Sequence, residues 1–207
     1  MNDATYLLDE ALSKLAGIKH LQTEMSSRAE WDVGHWIERA QLFVQAEDQA
    51  TDYILLAQSA IELLKLFTAA TKELWMQPEI VNRLAAMLDF NLDLLTGPRS
   101  AELDVKEHDK YYFKPSQLIS DILSVFLNLS GEYAFIQAVA VDKRSYKFSL
   151  FQRAARIARA RSLKTEAEIA RLRVFVARVE EMKATMEVEE ELGDVPDEFI
   201  GMCANLS

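Results

Sequence analysis

The sequence has little of what sheet proteins, disulfide-rich proteins and metalloproteins require. Its 207 residues include six glycines, four prolines, three histidines and one cysteine. Sheet proteins use many glycine and proline turns, so this composition favours helices. The single cysteine, Cys203, excludes an internal disulfide and a cysteine-based zinc site within this sequence.

Segments that would direct the chain to a membrane are also missing. No apolar run approaches the eighteen residues typical of a membrane-spanning helix, which predicts no membrane insertion. The first residues, Met1 to Ala4, show no basic region followed by an apolar run, so they do not resemble a signal peptide. The default expectation is a cytoplasmic and nuclear protein.

Motifs for cofactors and catalysis are absent. Neither a glycine-rich phosphate-binding loop nor a zinc-protease motif occurs. Asp32 and His35 could share a metal ion, but two ligands are too few for a protein-held site, and a helix-surface pair is the favoured interpretation. Cys203 has no neighbouring base, which makes it a bystander thiol. We therefore expect no catalytic residue, cofactor or metal in this chain.

Charge is abundant but unevenly placed. The net charge is −10, yet residues 143–178 carry +9 and the residues after them carry −8. The net negative charge of the chain argues against nucleic-acid binding. The lack of aromatic residues interleaved with the arginines, on which bases could stack, argues against it as well. The basic block is either a solvated face or a docking face for an acidic partner. Its candidate docking residues are Arg153, Arg156, Arg159, Arg161, Arg171, Arg173 and Arg178.

Hydrophobic periodicity predicts helices throughout. The first three should cover residues 4–25, 29–47 and 51–75, and the third is apolar on nearly all faces, which predicts neighbours on both sides. Pro78 and Pro115 should each open a helix, and a polar connection should join these two helices. Three further helices should cover about 132–141, the region of 148–158, and the residues from a Thr165–Glu168 capping box to Gly193. The three tryptophans are most simply core residues.

A series of amphipathic helices with short links is typical of stacked helical pairs. We therefore predict an all-α fold, an α-solenoid segment of armadillo or HEAT type. A closed helical bundle is the alternative architecture.

Four stretches carry a resemblance to a known family. They are PEIVNRLAAMLDFNL at 78–92 with LTGP at 95–98, YFKPSQL at 112–118, residues 135–146 ending in DKRSY, and DVPDEF at 194–199. Taken in this order, they resemble the core of the ubiquitin conjugation factor E4 family, which are U-box ligases that extend ubiquitin chains. The resemblance covers about 120 residues from Gln77 onward, and residues 1–76 share only a helical character.

The sequence departs from the family pattern after Phe199. A U-box, which holds the ubiquitin-charged conjugating enzyme, would be expected there, but residues 200–207 form a short divergent tail. We thus expect a helical core segment at 1–199 and a tail at 200–207. No catalytic residue of the family can be carried over, and we expect this chain alone to be inactive. The resemblance also implies an elongated armadillo-like rod, in which residues 1–76 would form an exposed apolar layer.

The resemblance implies a role in ubiquitin-dependent proteasomal degradation, including the degradation of endoplasmic-reticulum proteins, and in protein quality control. Implied partners are the AAA segregase (valosin-containing protein), ubiquitinated substrates and, if a U-box is restored, a ubiquitin-conjugating enzyme. The alternatives are a non-enzymatic helical-repeat adaptor that binds ubiquitin-pathway partners, and an unrelated helical interaction module.

Overall fold

The computed structural model describes residues 2–27 and 32–193. Seven α-helices run through these residues, and no strand occurs among them. They are α1 (Asn2–Ser26), α2 (Val33–Ala70), α3 (Pro78–Thr96), α4 (Pro115–Leu129), α5 (Tyr133–Val141), α6 (Phe148–Ala160) and α7 (Glu166–Gly193). Short 3-10 turns occupy Glu73–Met76, Pro98–Leu103 and His108–Tyr111. The fold is all-α and repeat-like, as predicted.

The helix starts follow local sequence chemistry. Pro78 and Pro115 stand at the first positions of α3 and α4, where proline has the right φ and no N–H is needed. At the start of α7, the Thr165 N–H donates to Glu168 Oε2 (2.8 Å), and the Glu168 N–H donates to Thr165 Oγ1 (3.2 Å). The predicted capping box is therefore confirmed.

The prediction of two helices over residues 29–47 and 51–75 is wrong. Residues 33–70 form the single helix α2. No glycine or proline interrupts residues 48–50, Ala50 is fully buried, and Gln49 accepts a hydrogen bond from Lys14 Nζ (2.9 Å). Glu47 accepts hydrogen bonds from Lys110 and Tyr111, so the polar residues of this stretch contact α1 and the turn at residue 110.

Side-chain contacts define how the helices pack. Lys14 meets Gln49, and Arg39 meets Glu24, so α1 and α2 run antiparallel. Helix α4 lies at the centre of the molecule, since it contacts α2, α3, α6 and α7. Most of its side chains are buried, as an amphipathic helix with neighbours on several sides requires.

An aromatic cluster joins the last four helices. Phe126 of α4, Phe135 of α5, Phe151 of α6 and Phe175 of α7 are at most 2% exposed. The Phe126 ring centroid lies 5.8, 5.1 and 5.9 Å from those of the other three, in that order. These separations suit edge-to-face and tilted aromatic pairs. The cluster therefore fixes α6 and α7 relative to the rest of the core.

One face of α2 is apolar and exposed. Ile54, Ile61 and Leu64 are buried, but a second set on the same helix is 44–55% exposed. That set is Leu55, Leu56, Leu63, Leu66 and Phe67. The prediction that residues 51–75 have neighbours on both sides is wrong for this chain, while the expected exposed apolar layer within residues 1–76 is present.

Helix α2 is also long and apolar enough, by length and composition, to cross a membrane. The prediction from apolar runs did not anticipate this. Core helices of soluble proteins pass the same test, and one side of α2 packs into this core, where Lys65 Nζ forms an ion pair with Asp121 Oδ1 (2.6 Å).

The connection between α3 and α4 is more than an exposed polar link. Leu103, Val105, Tyr111 and Phe113 are buried, in contrast to the prediction for this segment. Gln22 of α1 accepts a hydrogen bond from the Lys106 N–H (2.8 Å). The segment thus fills the space beside α1 and α2.

The tryptophans are less buried than predicted. Trp75 is half-buried and packs against the core, and Trp36 is half-buried beside Phe43 and Tyr111. Trp31 lies outside the described residues.

Asp89 is a buried carboxyl group in the middle of α3. Its side chain is fully buried, and neither carboxylate oxygen has a hydrogen-bond partner among the described residues. Burial, and then the negative charge of Asp142, raise the pKa of Asp89 well above its usual range. The folded chain therefore holds the carboxyl proton of Asp89 more tightly than the unfolded chain does. As a result, the free energy of unfolding falls as the pH rises above the pKa of this group in the unfolded chain, which is about 4.

The variant Asp89→Asn should therefore be more stable than the parent chain at pH 8. Asparagine cannot ionise, so its advantage should grow by up to about 1.4 kcal/mol per pH unit over the range in which Asp89 is ionised in the unfolded chain but still protonated in the folded chain. Urea unfolding at pH 5 and pH 8 measures this difference. As a control, Asp93→Asn on the same helix removes ion pairs with Arg153 and Lys147 and should not stabilise the chain. An equal effect of Asp89→Asn at both pH values would contradict the assignment.

Candidate functional site

The structure divides the predicted docking arginines into two groups. Four of them hold other helices in place. Arg153 donates to Asp93 Oδ1 on α3 (2.7 Å), and Arg161 donates to Ser116 Oγ at the start of α4 (2.9 Å). Arg171 and Arg178 donate to the carbonyl oxygens of Leu127 (2.9 Å) and Ser130 (3.3 Å) at the end of α4.

The other three arginines surround a groove between α6 and α7. Arg156 and Arg159 come from α6, and Arg173 comes from α7. The groove encloses about 630 Å³, and its remaining lining is apolar apart from Gln152. The lining is Phe148, Phe151, Gln152, Ala155, Arg156, Arg159, Leu172, Arg173, Val176 and Ala177.

The sequence builds this groove through two helical periodicities. On α6, Gln152, Ala155 and Arg159 recur at spacings of three and four, which places them on one face. On α7, Leu172 and Val176 are buried at the contact with α6, and Arg173 and Ala177 follow on the outer edge. Ser162, with φ of 53°, lies in the short turn that sends α7 back along α6.

Small side chains keep the groove open. Ala155 and Ala177 are short, whereas larger residues at these positions would fill the space between the helices. Phe148 at the first position of α6 is 48% exposed, so an aromatic face remains uncovered at one end of the groove. The exposure of Phe148 follows from its place at the helix end.

Two of the three arginines form no hydrogen bond or ion pair with an acidic residue in the described part of the chain. Arg159 donates two hydrogen bonds to Glu166, from Nε to Oε1 (2.7 Å) and from Nη2 to Oε2. This hydrogen bonding lowers the pKa of Glu166, and the charges of Arg159 and Arg173 act in the same direction. Arg156 and Arg173 are exposed, and neither forms a hydrogen bond or ion pair with a described residue. The groove is therefore electropositive, with free guanidinium donors.

The groove lining lacks the side chains that most often act in catalysis. Its lining contains no nucleophile and no acid or base, and the described residues contain no group of three or more metal-ligating side chains. Asp32 Oδ1 accepts a hydrogen bond from the His35 N–H (2.8 Å), so Asp32 acts as the N-cap of α2. Cys203 lies outside the described residues.

Comparison with known families decides what kind of helical chain this is. The model of the ubiquitin elongating factor core matches residues 1–180. The chain belongs to this family. The match includes α1 and α2 as well as the later helices. The similarity to the ubiquitin elongating factor core therefore begins before Gln77, where the sequence motifs start. The DVPDEF stretch at 194–199 lies outside both the match and the described residues.

Similar proteins agree with this membership. The chain is 42% identical over 203 residues to the ubiquitin conjugation factor E4 of Schizosaccharomyces pombe, covering 97% of this chain and 20% of that protein. It is 38% identical to the E4 ubiquitin-protein ligase UFD2 of Saccharomyces cerevisiae, covering 97% of this chain and 21% of that protein. It is 33% identical to the probable ubiquitin conjugation factor E4 of Arabidopsis thaliana, covering 97% of this chain and 20% of that protein. The chain thus spans about a fifth of the length of these relatives.

Proposed function

We propose that this chain acts in ubiquitin chain elongation as a helical scaffold rather than as the transferring group. The match to the ubiquitin elongating factor core over residues 1–180 carries the proposal. The described residues contain no cysteine that could carry ubiquitin as a thioester and no metal-ligating cluster, which supports a positioning role over direct chemistry.

The partners follow from the family. A scaffold in chain elongation would meet ubiquitinated substrates, a conjugating enzyme held by a U-box, and the AAA segregase (valosin-containing protein). These encounters belong to protein quality control and proteasomal degradation in the cytoplasm and nucleus. Of the candidate docking residues, Arg156, Arg159 and Arg173 line the groove and form the proposed contact region. The other four, Arg153, Arg161, Arg171 and Arg178, hold neighbouring helices in place.

A non-enzymatic adaptor remains a second candidate, and the groove favours it. An electropositive groove with an apolar floor can bind a partner without any transfer step. An adaptor of this kind would compete with the full-length factor for shared partners.

A segment exchange tests the scaffold role. The matching segment of the fission yeast factor is replaced by this chain, and ubiquitin chain length on a mono-ubiquitinated substrate is measured. We expect the exchanged protein to extend chains and a variant lacking the segment to lose extension. An exchanged protein that is folded yet as inactive as the deletion would contradict the proposal.

A further inference from the structure

We propose that the groove between α6 and α7 binds an acidic amphipathic helix of a partner protein. The apolar residues of that helix would cover Phe148 and the alanines of the floor, and its carboxylates would meet Arg156 and Arg173. This inference concerns binding alone and does not depend on ubiquitin transfer.

The charges in the groove select an acidic occupant. Three arginines line it, and Glu166 offsets one of them by pairing with Arg159, so two positive charges remain although the chain as a whole carries a net charge of −10. The acidic remainder of the surface would repel an acidic segment, and the arginines of the groove would attract it. The positive charge of the groove therefore directs the segment to this site as well as adding to its affinity. Because Arg156 and Arg173 have no ion pair within the described chain, no internal contact must break before they bind carboxylates.

The apolar floor selects an amphipathic occupant over nucleic acid. Phe148 is 48% exposed, and Ala155 and Ala177 line the same groove. A phosphate backbone would satisfy the arginines but leave this apolar surface in water. An amphipathic segment satisfies both, because apolar burial and charge pairing then occur on adjacent faces of one ligand.

The walls of the groove favour a helix as the bound form. Both walls are helices, and the described residues offer no sheet edge to which an extended strand could add. From Phe148 to Arg159 the α6 wall rises about 16 Å, which matches about three turns of an occupant helix. Apolar residues at spacings of three and four would then face the floor, with acidic residues beside them.

Glu166 already occupies part of the site. It binds Arg159 on the exposed surface, with 70% of its side chain accessible, and a partner carboxylate would compete with it for that guanidinium. Replacing Glu166 with glutamine removes this competitor while preserving the polar side chain at the start of α7.

The test uses a fluorescent 15-residue helical peptide with leucines at three- and four-residue spacings flanked by glutamates. It is titrated by fluorescence anisotropy against the full 207-residue chain. We expect saturable one-to-one binding that weakens with salt. The double variant Arg156→Gln/Arg173→Gln should weaken binding about tenfold, since two carboxylate contacts are lost. Phe148→Ser should also weaken it, and Glu166→Gln should strengthen it about twofold to fourfold.

Arg178→Gln is the matched control. It removes one positive charge from α7, the helix that also carries Arg173, but Arg178 donates to the Ser130 carbonyl at the end of α4, so binding should stay unchanged. Circular dichroism confirms that each variant remains helical. Three results would each overturn the proposal: no binding of the peptide, equal binding of a scrambled peptide with the same composition, or equal losses in Arg178→Gln.

Other occupants give distinct outcomes. Binding of a single-stranded oligonucleotide or of phosphatidylserine vesicles that is lost in the Arg156→Gln/Arg173→Gln variant, without peptide binding, would replace the partner helix with that ligand. Self-association of the chain that disappears in the same variant would assign the groove to a second copy and overturn the proposed partner.

Discussion

Replacing Phe126 with alanine should lower the free energy of unfolding by about 3–5 kcal/mol. Phe126 is fully buried in α4, and its ring lies within 6 Å of three other phenylalanine rings, from α5, α6 and α7. Removing it leaves a cavity where four helices meet, and rigid helices on all sides cannot close around it. The loss is comparable with half or more of the stability of a small domain.

Urea unfolding followed by circular dichroism measures this change. Phe67→Ala is the control, because Phe67 is 55% exposed on α2 and its loss should cost far less. If Phe126→Ala does not fold, Phe126→Leu retains most of the volume and should cost about 1 kcal/mol. Similar losses at Phe126 and Phe67 would show that the aromatic cluster does not hold the last four helices together.

The helices from α3 onward could be predicted closely, because their ends carry local signals. Pro78, Pro115 and the Thr165–Glu168 capping box act within one turn of the chain, so the sequence alone locates them. The continuity of α2 could not be predicted in this way. It depends on Lys14 of α1 and on the turn beside Tyr111, which are contacts made by residues distant in sequence.

The candidate site shows the same division between local and distant information. Composition located the basic block, and helical spacing placed its arginines on α6 and α7. Neither signal could separate Arg173, which lines the groove, from Arg171 and Arg178, which contact α4. That separation depends on how α7 crosses α4 and α6 at once, and this crossing follows from the packing of Phe126, Phe151 and Phe175.

The 207-residue chain should form no ubiquitin chains when mixed with ubiquitin, activating enzyme, conjugating enzyme and a tagged substrate. A U-box accelerates transfer by holding the charged conjugating enzyme in a reactive position, and such positioning changes rates by orders of magnitude. The resemblance places that surface after Phe199, and we predict that residues 200–207 are a divergent tail and not the start of a U-box. The described residues offer no substitute, and Cys203, the single cysteine, has no neighbouring base in sequence.

Joining a family U-box after Phe199 should restore chain extension. The matched control supplies the same U-box as a separate protein, so that all parts are present but not linked. Linkage raises the local concentration of the U-box at the helical scaffold to about the millimolar range, well above micromolar assay concentrations. We therefore expect extension from the fusion and little from the mixture, measured as the ladder of ubiquitinated substrate. Equal activity of the mixture would mean that the helical chain does not position the U-box, and robust chain formation by the 207-residue chain alone would contradict its role as a scaffold.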